Sequence, residues 1–370
     1  MILKEPYSLL LRPFAFLYGL GVALRNMAFE HGLLRSETYP TPIICVGNIT
    51  VGGTGKTPHV EYILSKLLPH YRVAVLSRGY RRKSRGQVIA SEHTLIAEIG
   101  DEPRQLKLKY PDIILVVDGN RRRSMDYLMS LPKDERPDVV IMDDGLQHRY
   151  VKPSYSILLV DSTRPLQEDK LLPEGRLREP ASARYRVDCI IATKCPETLR
   201  PIEQRLIERT LAAYPHQEVF FTKIRYKGLY KISELGTNAV PTSIDLEKDS
   251  PVIALSGIAN PTLFIDYLTE RYKVVEQLLF ADHHNFEKGD FETIISAFQR
   301  HLTEYPNLSI ITTEKDAVRL VESFERFPEN MRKHIYYLPI EVAVLQREDA
   351  LERQLRLAVK AKPKSLQNID

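Results

Sequence analysis

Six short runs in the middle of the chain are almost wholly apolar: Ile43–Val46, Val73–Leu76, Ile113–Val117, Val139–Met142, Ile157–Val160 and Cys189–Ala192. None of them alternates polar with apolar residues. Strands of this composition are buried on both faces, so the runs call for a parallel sheet covered by helices on both sides. Sheets of that kind bind ligands beyond the carboxyl ends of their strands. The polar residues sit where that rule requires. Gly47-Asn48-Ile49-Thr50, Ser77-Arg78-Gly79-Tyr80, Asp118-Gly119-Asn120-Arg121, Asp143-Asp144-Gly145-Leu146-Gln147-His148, Asp161-Ser162-Thr163-Arg164 and Thr193-Lys194 each follow one run.

A second α/β unit is expected from Pro251 onward. Val252–Leu255, Val274–Leu279 and Leu308–Ile311 read as strands, with helical stretches at 261–270, 288–302 and 315–324. Val219–Tyr230 and Ile335–Val344 bracket this unit, and their pairing would make a two-stranded connector by which the chain leaves the first unit and returns. With 370 residues, 43% of them apolar, both units have material for a core, and disorder and low-complexity classes are excluded. The charge, 52 Lys and Arg against 48 Asp and Glu, is too balanced for a general polyanion binder. Three cysteines, Cys45, Cys189 and Cys195, form no Cys-x-x-Cys pair, which argues against a disulfide framework or structural zinc and fits a reducing compartment.

The amino-terminal segment 9–34 is apolar and aromatic, but its longest charge-free stretch runs only from Pro13 to Leu24. A spanning helix needs about 20 apolar residues. A secretory signal also fits poorly, because no small-residue cleavage site follows. The expected element is a helix lying in a headgroup layer, with Phe14, Phe16, Leu17, Leu20 and Leu24 buried there and Arg12 and Arg25 near phosphates. The competing reading is a helix packed on the protein's own core.

The first strand runs into Thr50-Val51-Gly52-Gly53-Thr54-Gly55-Lys56-Thr57 and then into a helix. Glycines let backbone N–H groups curl around phosphate oxygens where side chains would clash. The helix start directs free N–H groups and its positive dipole end at the same anion. Lys56 supplies a point charge between the β- and γ-phosphates, and the Thr57 hydroxyl is the expected magnesium ligand. Thr50 stands where the usual first glycine of this loop would be. Asp143 and Asp144, closing an apolar run, are the partner acids for the metal and its water shell.

Ile190–Lys194 is similar to the base-reading strand of guanine nucleotide-binding proteins, but the Asp that would pair with guanine is replaced by Pro196, so ATP is the expected nucleotide. Partition-type switch ATPases carry a Lys where this loop has Val51, which disfavours that class. A kinase needs in addition a base for the acceptor hydroxyl. Asp101, in Gly100-Asp101-Glu102-Pro103, is a candidate, although taken alone such a residue is more often an N-cap, with Pro103 in the first turn. His283, in Asp282-His283-His284-Asn285, is its candidate partner should the second unit close over the first. Three basic clusters are expected at the active face: Arg78–Gly86 with five cations in nine residues, Arg121-Arg122-Arg123, and Arg176 with Arg178. Arginines grip phosphate oxygens bidentately. No RNA-binding signature accompanies them, so a phosphorylated acceptor or anionic headgroups explain them better than nucleic acid.

Six segments together, Pro42–Pro58, Ser77–Tyr80, Gly100–Pro103, Asp143–Arg149, Leu171–Pro180 and Thr313–Ala317, make the chain resemble the tetraacyldisaccharide 4′-kinases, the lipid A 4′-kinases of Gram-negative bacteria. Thr50 is normal for that family. The resemblance implies transfer of the ATP γ-phosphoryl group to the 4′-hydroxyl of a tetraacylated glucosamine disaccharide 1-phosphate, giving lipid IVA, with Mg2+ as cofactor. It implies a lipid substrate reached at the cytoplasmic face of the inner membrane, no nucleic acid and no obligate protein partner. It also implies roles: Lys56 and Thr57 on phosphate and metal, Asp143 and Asp144 beside the metal, and Glu102 supporting the metal or lysine network. Asp101 would act as base with His283, or with His284 by a shift of assignment. Arg78, Arg121, Gln147, His148, Arg176 and Glu179 would line the substrate site. The expected division is a membrane-contacting helix (1–36), a phosphate-loop domain (37–218), connector strands (219–232 and 335–345), a smaller α/β domain (233–334) and a helical tail (346–370). The alternative kept open is a membrane-associated switch ATPase of the partition type with no lipid acceptor. Thr313-Glu314-Lys315-Asp316 matches the family without an evident chemical role.

Overall fold

The structure, a computed structural model, describes residues 7–237 and 242–361. The first six residues of the expected amino-terminal segment and the last nine of the tail lie outside the described residues, as do residues 238–241. The strands among the described residues are β1 (Ile43–Gly47), β2 (Val73–Ser77), β3 (Val88–Ala90), β4 (Ile114–Val117), β5 (Val139–Asp143), β6 (Tyr155–Asp161), β7 (Cys189–Thr193), β8 (Glu218–Tyr226), β9 (Tyr230–Lys231), β10 (Pro251–Ser256), β11 (Lys273–Leu279), β12 (Ser309–Thr313), β13 (Ile335–Leu338) and β14 (Ile340–Val344).

Nine strands form one sheet in the order β14-β8-β7-β6-β1-β5-β2-β4-β3. β1 lies near its middle, parallel to β5 on one side and β6 on the other. Only the edges are antiparallel: β3 against β4 and β14 against β8. All residues of β1, β2, β5 and β7 are buried, as wholly apolar strands require. One face is covered by helices Lys56–Leu67 and Glu348–Lys360, the latter burying Leu351, Leu355 and Ala358 along one stripe. The other is covered in part by helix Arg121–Ser130, whose Met125 and Leu128 meet Ala74, Leu76 and Val116. This is an α/β fold of the phosphate-loop NTPase type. Its ligand crevice should lie where β1 is flanked by strands reached from opposite directions.

A second sheet has the order β11-β10-β12-β13-β9 and its own apolar core around Ile253, Leu255, Phe291, Ile294 and Phe298. The two bracketing segments do pair, but not as a free-standing connector. β8 with β14 extends the large sheet, whereas β9 with β13 extends the small one. Between β13 and β14 there is only Pro339, whose carbonyl accepts the Lys227 N–H (3.0 Å). A proline has no N–H to contribute to either ladder, so the break between sheets falls at a residue that suits it.

Helix Tyr7–Glu30 precedes the large sheet. It turns Leu10, Phe14, Phe16, Leu17, Leu20, Leu24 and Met27 outward, and Phe16 is 72% exposed. No described helix is long and apolar enough to cross a membrane.

Candidate active site

β1 ends at Gly47, and the chain turns through residues 48–55 before entering helix Lys56–Leu67. Gly52 and Gly55 have φ of 108° and 84°, where a side chain would strain the backbone. The loop is braced from beneath. Asn48 Nδ2 donates to Thr54 Oγ1 (2.8 Å), and both residues are buried. Val51 N–H donates to the Arg176 carbonyl (2.8 Å), and Arg178 N–H donates to the Ile49 carbonyl (2.7 Å). His59, in the first turn of the helix, lies with Nδ1 2.7 Å from the Gly55 carbonyl and Nε2 2.9 Å from Thr222 Oγ1. Burial pulls its pKa down to about 4. The neutral ring must therefore donate from Nδ1 to Gly55 and accept the Thr222 hydroxyl at Nε2. Val51, Gly52 and Gly53 remain exposed, with Lys56 and Thr57 at the mouth. Such a cradle of main-chain N–H groups at a helix start suits a phosphate.

The acids at the end of β5 face this loop. Asp143 is buried. Its Oδ2 accepts from Ser77 Oγ (3.3 Å), and its Oδ1 has no protein partner. Burial, then the charges of Glu102 and Asp144, push its pKa up to about 7. Asp144 adopts φ 47° and stands 3.8 Å from Lys56 Nζ. The Arg178 guanidinium grips it as a fork at 3.1 and 3.0 Å. Burial opposes its ionisation, but Lys56 and Arg178 hold it below the usual carboxylate range. Arg121 is buried under both acids, donating to the carbonyls of Ser77 (2.9 Å) and Asp143 (3.3 Å).

Asp101 opens helix Asp101–Lys109. The N-cap position belongs to Gly100 (φ 89°); the Asp101 carboxylate accepts the Glu102 N–H at Oδ1 (3.0 Å) and reaches across to the second unit with Oδ2. Its Oδ2 lies 2.9 Å from Nδ1 of His283, 182 residues away, and also receives Arg319. Burial works against ionisation, but the His283 hydrogen bond and the charges of Lys315 and Arg319 hold the carboxyl well below its ordinary value. His284 is engaged elsewhere, with Nε2 2.9 Å from Asp290 and its ring stacked on Phe280. The left-handed backbone of His283 (φ 58°) turns the two imidazoles to different partners. The Tyr80 ring meets His283 edge-on, and Arg81 reaches the Asp282 carbonyl (3.5 Å). A cavity of about 530 Å³ opens along Ala281–Asp290 beside both histidines. Glu102 lies between the halves, 3.6 Å from Lys315 Nζ and close enough to act on Asp143.

The remaining residues distribute less evenly than expected. Gln147 donates from Nε2 to the Asn48 carbonyl (2.9 Å), leaving its buried Oε1 without a protein partner. His148 packs on Tyr150, with buried Nε2 free of protein partners. Burial and then the charges of Arg121, Arg25 and Arg78 pull its pKa down to about 4. Arg78 is exposed. Arg176 contributes its backbone to the loop, while Arg178 supplies the side chain that meets Asp144. Glu179 is 1% exposed and tied to Arg186 and to Asn26 of helix Tyr7–Glu30. The basic clusters do not turn to the site as wholes: Arg122 pairs with Glu37 and Arg123 with Asp118. Arg12 and Arg25 likewise bond the protein, at Glu174 (3.1 Å) and the Gln147 carbonyl (2.6 Å). Arg25 is drawn to the loop after β5, whereas Arg12 stays more than half exposed while it pairs with Glu174. His59 and Arg319 were not singled out by sequence, and Arg178 was named only as a member of a basic cluster. Lys315 entered only through the Thr313–Asp316 match, without a role.

Among the described residues no group of three or more His, Cys, Asp or Glu side chains is arranged to hold a metal unaided. The orphaned buried carboxylate oxygen on Asp143 nevertheless fits an ion that takes its other ligands from phosphates and water, as Mg2+ does.

The family model for tetraacyldisaccharide-1-P 4′-kinase matches residues 7–360. A tetraacyldisaccharide 4′-kinase of Porphyromonas gingivalis is 44% identical over 338 residues, covering 90% of this chain and 92% of that protein. One from Parabacteroides distasonis is 46% identical over 336 residues, covering 91% and 90%. The crystal structure of the Aquifex aeolicus protein LpxK, in complex with ATP, superposes with a TM-score of 0.73 at 28% identity, covering 96% of this chain and 99% of that one. Matched along nearly its whole length by the family model and by these relatives, the chain belongs to the tetraacyldisaccharide-1-P 4′-kinase family.

Proposed function

We propose that this chain transfers the γ-phosphoryl group of ATP to the 4′-hydroxyl of a tetraacyldisaccharide 1-phosphate. The observation that carries this reading is the contact of Asp101 with His283 across the two units, next to Glu102, whose charge reaches Asp143, the neighbour of the Asp144 that pairs with Lys56. The loop N–H groups and Lys56 would hold the nucleotide's phosphates. Lys56, Arg121 and Arg178 would screen the negative charge that spreads during transfer, a reaction that depends on positioning and charge neutralisation more than on covalent help. Thr57, Asp143 and Asp144, supported by Glu102, would hold Mg2+. The ion, when bound, supplies charge stabilisation between the β- and γ-phosphates. Asp101 would accept the proton of the sugar hydroxyl. Gln147, His148 and Arg78 are suited by position to contact the acceptor.

Helix Tyr7–Glu30 would lie in the headgroup layer by its exposed aromatic face, keeping the enzyme on the cytoplasmic side of the inner membrane as a peripheral protein. The switch-ATPase alternative is not favoured: Val51 replaces its signature lysine, and such a switch has no use for an Asp–His pair at the γ-phosphate side. Asp101→Ala should lower turnover by about 10²–10⁴-fold while ATP binding persists. Near-normal turnover would remove Asp101 from the base role.

A further inference from the structure

Of the polar segments that follow the apolar runs, Asp161-Ser162-Thr163-Arg164 has no part in the chemistry described so far. It leaves the end of β6, which pairs directly with β1, the strand that feeds the phosphate loop. Its turn is held at several points. Ser162 N–H donates to the Thr193 carbonyl of β7 (2.9 Å), and Arg164 N–H donates to the Asp161 carbonyl (3.0 Å). The Asp161 carboxylate, buried at the strand end, accepts the Thr163 N–H (3.1 Å) and hydroxyl (2.6 Å) at Oδ1 and Lys194 Nζ at Oδ2 (2.8 Å). Pro165 disfavours a helical backbone at Arg164, and the next residue, Leu166, is buried in the core.

From this fixed turn the Arg164 side chain extends over the phosphate loop. Nη1 stands 3.7 Å from the place a Cβ on Gly52 would occupy, and no other described atom outside the adjoining chain comes within 4 Å of that place. Arg164 is exposed, and among the described residues its guanidinium has no hydrogen bond or ion pair. The acid of its own turn is already taken by Lys194. The bracing of the loop shows which end of a triphosphate lies there. Arg178 Nε donates to the Thr50 carbonyl (3.1 Å) while its fork holds Asp144, the acid 3.8 Å from Lys56 Nζ. Residues 50–52 thus border the acid and lysine end of the loop, the end that takes the γ-phosphate. The cations given a screening role above also serve the protein's own oxygens: Arg178 on Asp144 and Arg121 on two carbonyls. Arg164 has its whole donor fork to give.

We propose that Arg164 is a catalytic residue that grips the γ-phosphate of ATP over Gly52, an arginine finger carried by the chain itself. In transfer, the bond from the γ-phosphorus to the bridging oxygen breaks and its electron pair leaves with ADP. The acceptor oxygen bonds the phosphorus, and its proton passes to the Asp101–His283 pair. Negative charge spreads over the phosphoryl oxygens meanwhile, and a guanidinium fork on two of them stabilises that charge more than it does the bound ground state. A glycine at position 52 leaves the approach open. The role in transfer rests on the kinase reading above; the contact with the γ-phosphate does not.

The test compares two nucleotides on the whole chain. Affinities for ADP and for the β,γ-imido analogue of ATP are measured by calorimetry with Mg2+ and without lipid. Label transfer from ATP to a tetraacyldisaccharide 1-phosphate is followed beside them in mixed micelles. Arg164→Ala is expected to weaken the analogue about 10-fold and ADP by less than about 2-fold, and to lower kcat by about 100-fold or more. Arg164→Lys, which keeps the charge without the planar fork, should restore most of the affinity but little of kcat. The urea midpoint should stay in place, because no protein contact is lost. Equal weakening of both nucleotides or a normal kcat would overturn the proposal, as would a drop in the urea midpoint large enough to explain the lost activity. Absence of labelled lipid from the wild-type chain would overturn the kinase reading, whereas loss of the preference for the analogue over ADP in Arg164→Ala would still uphold the γ-phosphate contact.

Discussion

His59 ties three parts of the molecule together through two ring nitrogens: the phosphate loop at Gly55, the helix that starts there, and β8 at Thr222. Its buried ring stays neutral. The unfolded chain therefore binds more protons than the folded one between the ordinary histidine value of 6.5 and about 4, so stability is complete above that window and falls as pH drops through it. Wild-type protein is expected to lose as much as about 3 kcal/mol across this range. His59→Gln, which can still donate to Gly55 and accept from Thr222, should flatten that slope in denaturant titrations at pH 7 and pH 4.5. An unchanged slope would place the proton uptake elsewhere. Asp143 and Asp144 show how little of such a balance is visible in sequence. They are neighbours, yet burial leaves one carboxyl raised to about 7 while Lys56 and Arg178 hold the other low. Loop and acids were both legible from residue type and spacing. Arg178 was not, because nothing in Gly175–Pro180 reveals which of two arginines gives its side chain and which its backbone.

At the scale of elements, strands buried on both faces announce themselves, and β1, β2, β5 and β7 fall within a residue or two of the apolar runs. The short edge strands β3 and β9 do not, since an edge strand of two or three residues carries too few side chains to make a pattern. The outward aromatic face of helix Tyr7–Glu30 was legible from length and composition; the inward roles of its polar residues were not, because they depend on oxygens from segments more than 100 residues away. Phe14→Glu with Leu17→Glu should weaken flotation with anionic liposomes at least about 10-fold while leaving ATP binding intact, since each buried side chain contributes about 1.5–3 kcal/mol on leaving water. Unchanged flotation would mean that this face does not meet the bilayer. Helix Asp101–Lys109 also meets the second unit at Lys109, whose Nζ bridges Glu61 (2.6 Å) and Glu314 (2.9 Å), both nearly buried. Lys109→Met would leave two like charges facing each other out of water and should destabilise by about 3 kcal/mol in urea unfolding. A loss below about 1 kcal/mol would show that the bridge is surface-like.

The whole molecule is two α/β units whose sheets are stitched by one continuous strand pair, broken at Pro339. That arrangement brings Asp101 of the first unit and His283 of the second into contact. Sequence proposed the pairing from residue types, but no spacing rule fixes a contact between positions 182 residues apart, and it left His284 as a rival. What decides is the docking of one unit on the other, a property of the folded surface. The measurement that bears most directly on the account is therefore made on the whole chain: incubate it with γ-labelled ATP, Mg2+ and a tetraacyldisaccharide 1-phosphate, and follow the label. The expected result is label on the lipid as a second phosphate monoester at the 4′ position, lost in Lys56→Ala. Label released only as inorganic phosphate, with the lipid unmodified, would contradict it.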